Sequence, residues 1–214
     1  MKAAYLRHLH LLPKLIHAIN TGLENSAGAV AIRPGGIGSI RRIPRKGGLS
    51  FTHYLNRAHA VMTINVLHID AQYGWRGGQQ QVAYLLEGMH RLGWPTALVC
   101  QPESDLRHYC GTHSLPCHTV RMHNELDLVA AMRIARICRA AGVQVIHAHA
   151  AHAHSIALWV TLMCPQIKFV STRRVDFSIR NSVLSRLKYR NRRVDRIVCI
   201  SDLVRRVLLA DGIP

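Results

Sequence analysis

Three short polar clusters in this 214-residue chain combine residue types that bind anions or move protons. The first, Gly74-Trp75-Arg76-Gly77-Gly78-Gln79-Gln80, joins an apolar run to a segment of helical spacing. A glycine pair there lets the backbone approach a ligand, and the free N–H groups of a first helical turn point at it. Arg76 adds a guanidinium beside Gly77, Gly78 and Gln79, so the cluster reads as a phosphate cradle, with a bare tight turn as the competing reading. The glycines do not follow G-x-G-x-x-G, and no acidic residue ends the second strand to hold a ribose, which argues against a nicotinamide cofactor. The second cluster is His147-Ala148-His149-Ala150-Ala151-His152-Ala153-His154. Alternate histidines at a strand end can ligate a metal, but only Asp70 and Asp176 are at hand as further ligands, so no metal is expected. His147 or His149 is read as a hydrogen-bonding group lining a crevice, with His152 and His154 at the start of the next helix. The third is Ser171-Thr172-Arg173-Arg174-Val175-Asp176-Phe177. Two adjacent arginines at a strand terminus are costly unless solvated or paired with anions. Either they form a structural pair with Asp176, or one faces a cleft and binds a phosphate or carboxylate while Asp176 orients it.

The elements that carry these clusters follow from periodicity. Apolar runs of strand length, bounded by breakers, fall at Ile64–Asp70, Thr96–Cys100, Cys117–Val120, Val143–His147, Lys168–Ser171 and Arg196–Ile200. Between them, helical spacing predicts helices over Gly78–Leu92, Asp105–Thr112, Asp127–Ala141, Ala151–Met163 and Ser182–Arg192, with a last one over Leu203–Leu209 that Ser201-Asp202 caps. Strict alternation of strand and helix implies right-handed crossovers and a mostly parallel, doubly wound α/β sheet of Rossmann type. Ligands of such sheets sit beyond the carboxyl ends of the strands, where all three clusters fall.

Composition narrows the partners. Lys and Arg number 28 against 11 Asp and Glu, a formal charge of +17, which implies an anionic partner: nucleic acid, an anionic membrane surface or a phosphorylated substrate. The basic helix 182–192 and the residues after it, with Arg186, Lys188, Arg190, Arg192 and Arg193, suit peripheral contact with anionic lipid headgroups. The six cysteines include no C-x-x-C pair and read as reduced core thiols of a cytosolic protein. No apolar run reaches the roughly 18 residues of a membrane span.

Residues 1–61 differ from the rest: Glu24 is their only acid, the breaker-rich Arg33-Pro34-Gly35-Gly36 is followed by Arg41, Arg42, Arg45 and Lys46, and no strand-helix rhythm is visible. The readings are a disordered basic arm, an organelle-type transit peptide, a basic amphipathic helix over 1–20 lying on lipid, and upstream sequence translated from a wrong start, Met62 then opening the domain.

The ordered set Val66-Leu67-His68-Ile69, Gly77-Gly78, Val145-Ile146-His147-Ala148-His149, Ser171-Thr172-Arg173-Arg174-Val175-Asp176-Phe177 and Asp195-Arg196-Ile197-Val198-Cys199-Ile200-Ser201 resembles the amino-terminal domain of family 4 glycosyltransferases, retaining enzymes of the two-domain GT-B fold. The resemblance covers about residues 62–214. It implies transfer of a sugar from a nucleotide-diphosphate donor, usually without metal, in a cleft between two Rossmann-like domains, of which this one chiefly holds the acceptor. Gly77 and Gly78 would then lie beside the donor diphosphate or an acceptor anion, and the cluster at Arg173 would face the reacting sugar. Arg173 and His149 are the candidate catalytic residues; Arg76, Gly77, Gly78, Gln79, His147, Arg174 and Asp176 are the candidate substrate-binding ones. Many relatives carry a histidine near the position of Arg173, where this chain has two arginines. An arginine there could stabilise negative charge on a departing diphosphate.

Relatives continue past the position of Gly212-Ile213-Pro214 into a second domain whose Glu-x7-Glu motif holds the donor. The expectation is that this domain is absent, that 62–214 is the acceptor-side half, that a separately encoded second half is a candidate partner, and that the polypeptide alone has little or no transferase activity. No cofactor is expected; the acceptor is expected to be a cell-envelope sugar or lipid-linked molecule, anionic in character. Two other classes compete. A nucleic-acid-binding protein would explain the charge, but aromatics are few and no binding motif is present, so no nucleic acid partner is expected. A metal-dependent hydrolase would use His147 and His149.

Overall fold

The computed structural model describes residues 64–213; the expectations for residues 1–61 and for Met62 as a start lie outside the described residues. Strands and helices alternate throughout: β1 (Val66–Ile69), α1 (Gly77–Arg91), β2 (Thr96–Cys100), α2 (Asp105–Thr112), β3 (Cys117–Thr119), α3 (Leu128–Ala140), β4 (Val145–Ala148), α4 (Ala151–Met163), β5 (Lys168–Arg173), α5 (Val183–Tyr189), β6 (Arg196–Cys199) and α6 (Asp202–Ala210). All five strand pairings are parallel, in the order β3-β2-β1-β4-β5-β6, so the α/β Rossmann-like expectation holds.

Alternation along the strands sends successive side chains to opposite faces. Leu67, Ile69, Ile146, Ala148 and Phe169 go to the face that Ala131, Ile134 and Ala135 of α3 and Ile156, Ala157 and Val160 of α4 cover. Val66, Val145 and Val170 go to the other face, against Met89 of α1, while Leu98 and Cys100 meet Val82 and Leu86 of α1 and Leu106 of α2. Both faces being covered, the central strands β1 and β4 are buried at every position and apolar except for His68 and His147. Truncating Ile146, fully buried at the centre, to alanine would cost about 2–5 kcal/mol.

β1, β3 and β6 are one or two residues shorter at an end than expected, and the bounds of β4 and β5 move in ways that matter at the site. β4 starts at Val145 because Asn65 ahead of β1 occupies the preceding turn: its carbonyl accepts from the amides of Gln144 and Val145, and its side chain donates to the Ala141 carbonyl at 2.6 Å. The strand therefore runs through Ala148, and His149 follows it directly. β5 runs two residues past Ser171 because Thr172 and Arg173 pair with Val198 and Cys199 of β6. The apolar run ends before the hydrogen-bonded ladder does. The six cysteines, all among the described residues, form no disulfide, and four of them are buried.

Candidate functional site

The sheet reverses its direction of growth between β1 and β4: from β1 the chain crosses outward to β2 and β3, and from β4 outward to β5 and β6. The crevice beyond the carboxyl ends of these two strands is where an open α/β sheet receives its ligand. Two helices begin there, α1 after β1 and α4 after β4. Both start without a side-chain cap, on Arg76 and Ala150, and neither has an acid in its first turn. The other four are capped by Ser104, Asp127, Ser182 and Ser201, whose side-chain oxygens each accept from an amide in the first turn. Amide donors and the positive ends of two helix dipoles are thus left for another acceptor at the switch point.

Gly77 and Gly78 have ordinary negative or extended φ, so conformation does not require glycine at either position. A β-carbon on Gly77 would meet open space, and one on Gly78 would sit 3.6 Å from Cδ of Arg174, an ordinary contact. Arg76 is exposed, whereas Gln79 is buried and donates through Nε2 to Oδ2 of Asp70 at 3.1 Å. Asp70, at the end of β1, also accepts the Gln72 amide at 2.9 Å. Burial pushes its carboxyl up from the ordinary value, against the opposing pull of these two hydrogen bonds and of Arg174.

The adjacent arginines part company. Because β5 extends through Arg173, that side chain shares the face of Ser171, whose hydroxyl meets Nδ1 of His154 at 2.8 Å. Arg173 is buried there, donates to the Tyr189 hydroxyl at 3.2 Å and to the Phe177 carbonyl, and stacks its guanidinium 5.1 Å above the Tyr189 ring. Arg174 takes the other parity and turns into the crevice. Its Nε donates to Oε1 of Gln81 at 3.0 Å, one terminal nitrogen donates to the His149 carbonyl, and the other reaches His149 Nδ1 at 3.0 Å. Asp176 is exposed and makes no ion pair with either arginine among the described residues. Desolvation lowers the Arg174 pKa, with Asp70 opposing, and an arginine stays charged through such a shift.

Three buried histidines share this face. His68 and His147 stand opposite each other in the β1–β4 ladder, and His149 lies two residues beyond His147. Ring centroids are 4.0 Å apart for His147 and His149 and 5.1 Å for His68 and His149. Their ligand atoms lie within 4.8 Å of one another, close enough to ask whether they could hold a metal ion. The hydrogen bonds answer against it as arranged. Guanidinium only donates, so Nδ1 of His149 must be unprotonated and its proton sits on Nε2, which then donates to Nδ1 of His68 at 2.9 Å. His68 in turn carries its proton on Nε2, a buried atom without a partner. His149 and His68 have no lone pair left. Only His147 remains: its Nε2 pairs with the Thr172 hydroxyl at 2.6 Å and its Nδ1 is buried without a partner. One free lone pair beside a guanidinium is not a cation site. Burial drives His68 down to about 3, and burial first, then neighbouring imidazoles and Arg174, drive His147 and His149 well below the ordinary value, so all three are neutral.

Of the residues singled out from the sequence, Arg174 meets both Gly78 and His149, Gln79 and His147 border them, Arg173 points elsewhere, and Arg76 and Asp176 are exposed. Sequence reasoning misses His68, Gln81 and Thr172. His68 has a signal, since period-two alternation puts it on the same face as Asp70; Gln81 and Thr172 are recruited by tertiary contacts alone.

Residues 75–214 match the family model described as Glycosyltransferase Family 4. Among curated proteins none matches. Solved structures with the same fold include HepE from Anabaena in complex with UDP-glucose, at 11% identity and a TM-score of 0.57 over 70% of this chain and 41% of that one. A glycosyltransferase from Rickettsia africae aligns at 16% identity and TM-score 0.56, covering 72% of this chain and 41% of the other. A putative UDP-N-acetylglucosamine 2-epimerase from Listeria monocytogenes aligns at 14% identity and TM-score 0.52, covering 71% and 43%. The chain thus spans about two fifths of the length of each of these neighbours.

Proposed function

Because the chain belongs to glycosyltransferase family 4, we propose that it contributes one wall of a site transferring a sugar from a nucleotide-diphosphate donor to an acceptor hydroxyl, with retention at the anomeric carbon. In that step the anomeric carbon–oxygen bond to the diphosphate breaks, the acceptor oxygen bonds to the same carbon, and the acceptor proton is released. Negative charge collects on the departing diphosphate, so fixed positive groups aimed at it lower the barrier. The observation that carries this reading is the convergence, at the β1–β4 switch point, of two helix N-termini without side-chain caps and the guanidinium of Arg174 packed against Gly78.

Arg174 is the group proposed to meet the phosphate, with the amides of the Gly77-Gly78 turn and with Arg76 at the outer edge. His149, occupied at both ring nitrogens, acts by holding Arg174 in place rather than by carrying a proton. Gln81 shares that task, and Gln79 anchors the turn to Asp70. Arg173 steadies the following segment through Tyr189 and the Phe177 carbonyl. The acceptor is proposed to be an anionic cell-envelope or lipid-linked molecule. Residues 62–214 are proposed to form the acceptor-side domain, with a second domain closing over the donor and excluding water.

Titration calorimetry with UDP and with inorganic pyrophosphate tests the anion site. Binding is expected to weaken at least tenfold in Arg174→Met, a charge-assisted contact being worth about 1.5–3 kcal/mol, and to persist in Arg173→Met. No binding by the native chain, or equal binding by Arg174→Met, overturns the assignment. Release of nucleoside diphosphate from a nucleotide sugar by the 214-residue chain, above a Gly78→Glu control, would refute the need for a second wall.

A further inference from the structure

On the face away from α1, a groove of about 780 Å³ runs between α4 and α5 and is lined also by residues 124–126. Its walls are apolar. Leu158, Trp159 and Leu162 project from α4, and Leu184 from α5, with Leu126 from the loop. Leu187 lies one turn from Leu184 on the same face of α5. Leu126 is 71% exposed, and Leu184 and Leu187 are 64% exposed each, a concentration of bare aliphatic surface of the kind that marks an interaction site.

The segment that carries Leu184 and Leu187 is of one sign. From residue 177 to residue 194 the sequence contains Arg180, Arg186, Lys188, Arg190, Arg192 and Arg193 and no acid. The groove's single carboxylate, Glu125, is already engaged: it accepts from Lys188 at 2.9 Å and from the Ser155 hydroxyl at 3.1 Å. Arg186, Arg190 and Arg192 have no carboxylate partner among the described residues. Exposed leucines carried by a segment whose guanidinium groups lack carboxylate partners match one surface in both respects, a bilayer with anionic headgroups and accessible acyl chains. This combination does not match a second copy of this chain, because a two-fold contact would set this basic segment against its own copy. Nor does it match the chain's own residues 1–61, whose only acid is Glu24.

We propose that the groove between α4 and α5 seats the protein on an anionic membrane, with Leu184, Leu187 and Leu126 entering the acyl boundary and Arg186, Arg190 and Arg192 on the headgroups. This goes beyond the transfer reading and does not depend on it, since binding is read without turnover. The test uses the full chain with vesicles of phosphatidylcholine alone and with one quarter phosphatidylglycerol. Co-sedimentation is expected only with the anionic vesicles. Leu184→Ser with Leu187→Ser should weaken it on the order of tenfold, as loss of two membrane-buried aliphatic side chains requires. Arg190→Glu with Arg192→Glu should weaken it by at least about fivefold per residue. Both pairs are at exposed positions, so an unchanged melting temperature accompanies the loss. Brominated acyl chains should quench Trp159, and the quenching should vanish in Trp159→Phe. Vesicle binding that survives the leucine pair, equal binding to neutral vesicles, or unquenched Trp159 overturns the proposal. So does a concentration-dependent dimer abolished by the leucine pair, which would make the groove a protein interface.

Discussion

Cδ of Arg174 lies 3.6 Å from the point where a β-carbon on Gly78 would stand, so the guanidinium stem covers the start of α1 from the side of β5. The two residues are 96 positions apart, and their contact joins the first and third of the polar clusters into one rim. Neither φ nor internal packing requires glycine at position 78, which makes that position a direct probe of what the rim binds. Gly78→Ala fits as an ordinary contact and is expected to leave the melting temperature unchanged or raise it, stabilising by up to about 1 kcal/mol. Gly78→Glu should also fold, since its neighbour is the movable end of a long side chain. Its carboxylate would then neutralise Arg174 and abolish pyrophosphate binding measured by calorimetry. Retained binding in Gly78→Glu would move the anion site off this rim.

The Arg174–His149 contact decides the protonation of three imidazoles, and that leads to a prediction about metals. With the guanidinium donating to Nδ1, the native chain should bind zinc or cobalt no better than its exposed histidines do. Arg174→Met removes the donor and the positive charge together. His149 can then carry its proton on Nδ1 and turn a lone pair on Nε2 toward His68 and His147. Cobalt absorption in the visible region, from protein purified without a histidine tag, should appear in Arg174→Met and be absent in the native chain. Stoichiometric metal in the native chain would refute the tautomer assignment.

Strand and helix succession, the parallel sheet and the position of the clusters at its carboxyl edge are legible in the sequence because apolar period and breakers encode them locally. What is not legible turns on where hydrogen bonding outlasts hydrophobicity. Thr172 and Arg173 are polar, so periodicity ends β5 at Ser171, and nothing local then says which of two consecutive arginines faces the crevice. Ladder pairing with β6 extends the strand and settles the parity, giving Arg173 to Tyr189 and Arg174 to His149. The opposition of His68 and His147 likewise belongs to the β1–β4 register, 79 residues apart, and is invisible to any window along the chain.

Arg173 offers a test of this division of labour. Its guanidinium is buried, bonded to the Tyr189 hydroxyl and stacked on that ring, so Arg173→Met should cost about 2–3 kcal/mol in urea denaturation, and Tyr189→Phe less. A double-mutant cycle between the two should give a coupling on the order of 1 kcal/mol or more. Additive effects would mean that the stacking contributes nothing, and loss of pyrophosphate binding in Arg173→Met would return that arginine to the crevice.

Buried neutral histidines also set how the fold responds to acid. His68 is held at about 3 and His154 at about 4, both chiefly by burial, and His147 and His149 lie well below the ordinary value for the same reason. In the unfolded chain each returns to about 6.5 and binds a proton more readily than in the fold. A depressed folded pKa means that stability is complete above about 6.5 and falls as pH falls, because protons then favour the unfolded state. Each group contributes a slope of up to about 1.4 kcal/mol per pH unit, continuing toward pH 3 for His68 and pH 4 for His154. Asp70, raised by burial, works in the opposite sense, one group against four. Between pH 7.5 and 5.5 the unfolding free energy should therefore drop on the order of 5 kcal/mol, read from urea midpoints at constant ionic strength. Replacing His68 with leucine should flatten that slope by about one quarter, whatever it does to the absolute stability. A native profile that stays level from pH 7.5 to 5.5 would mean that these imidazoles reach solvent, and the hydrogen-bond chain from Arg174 through His149 to His68 would not exist in solution.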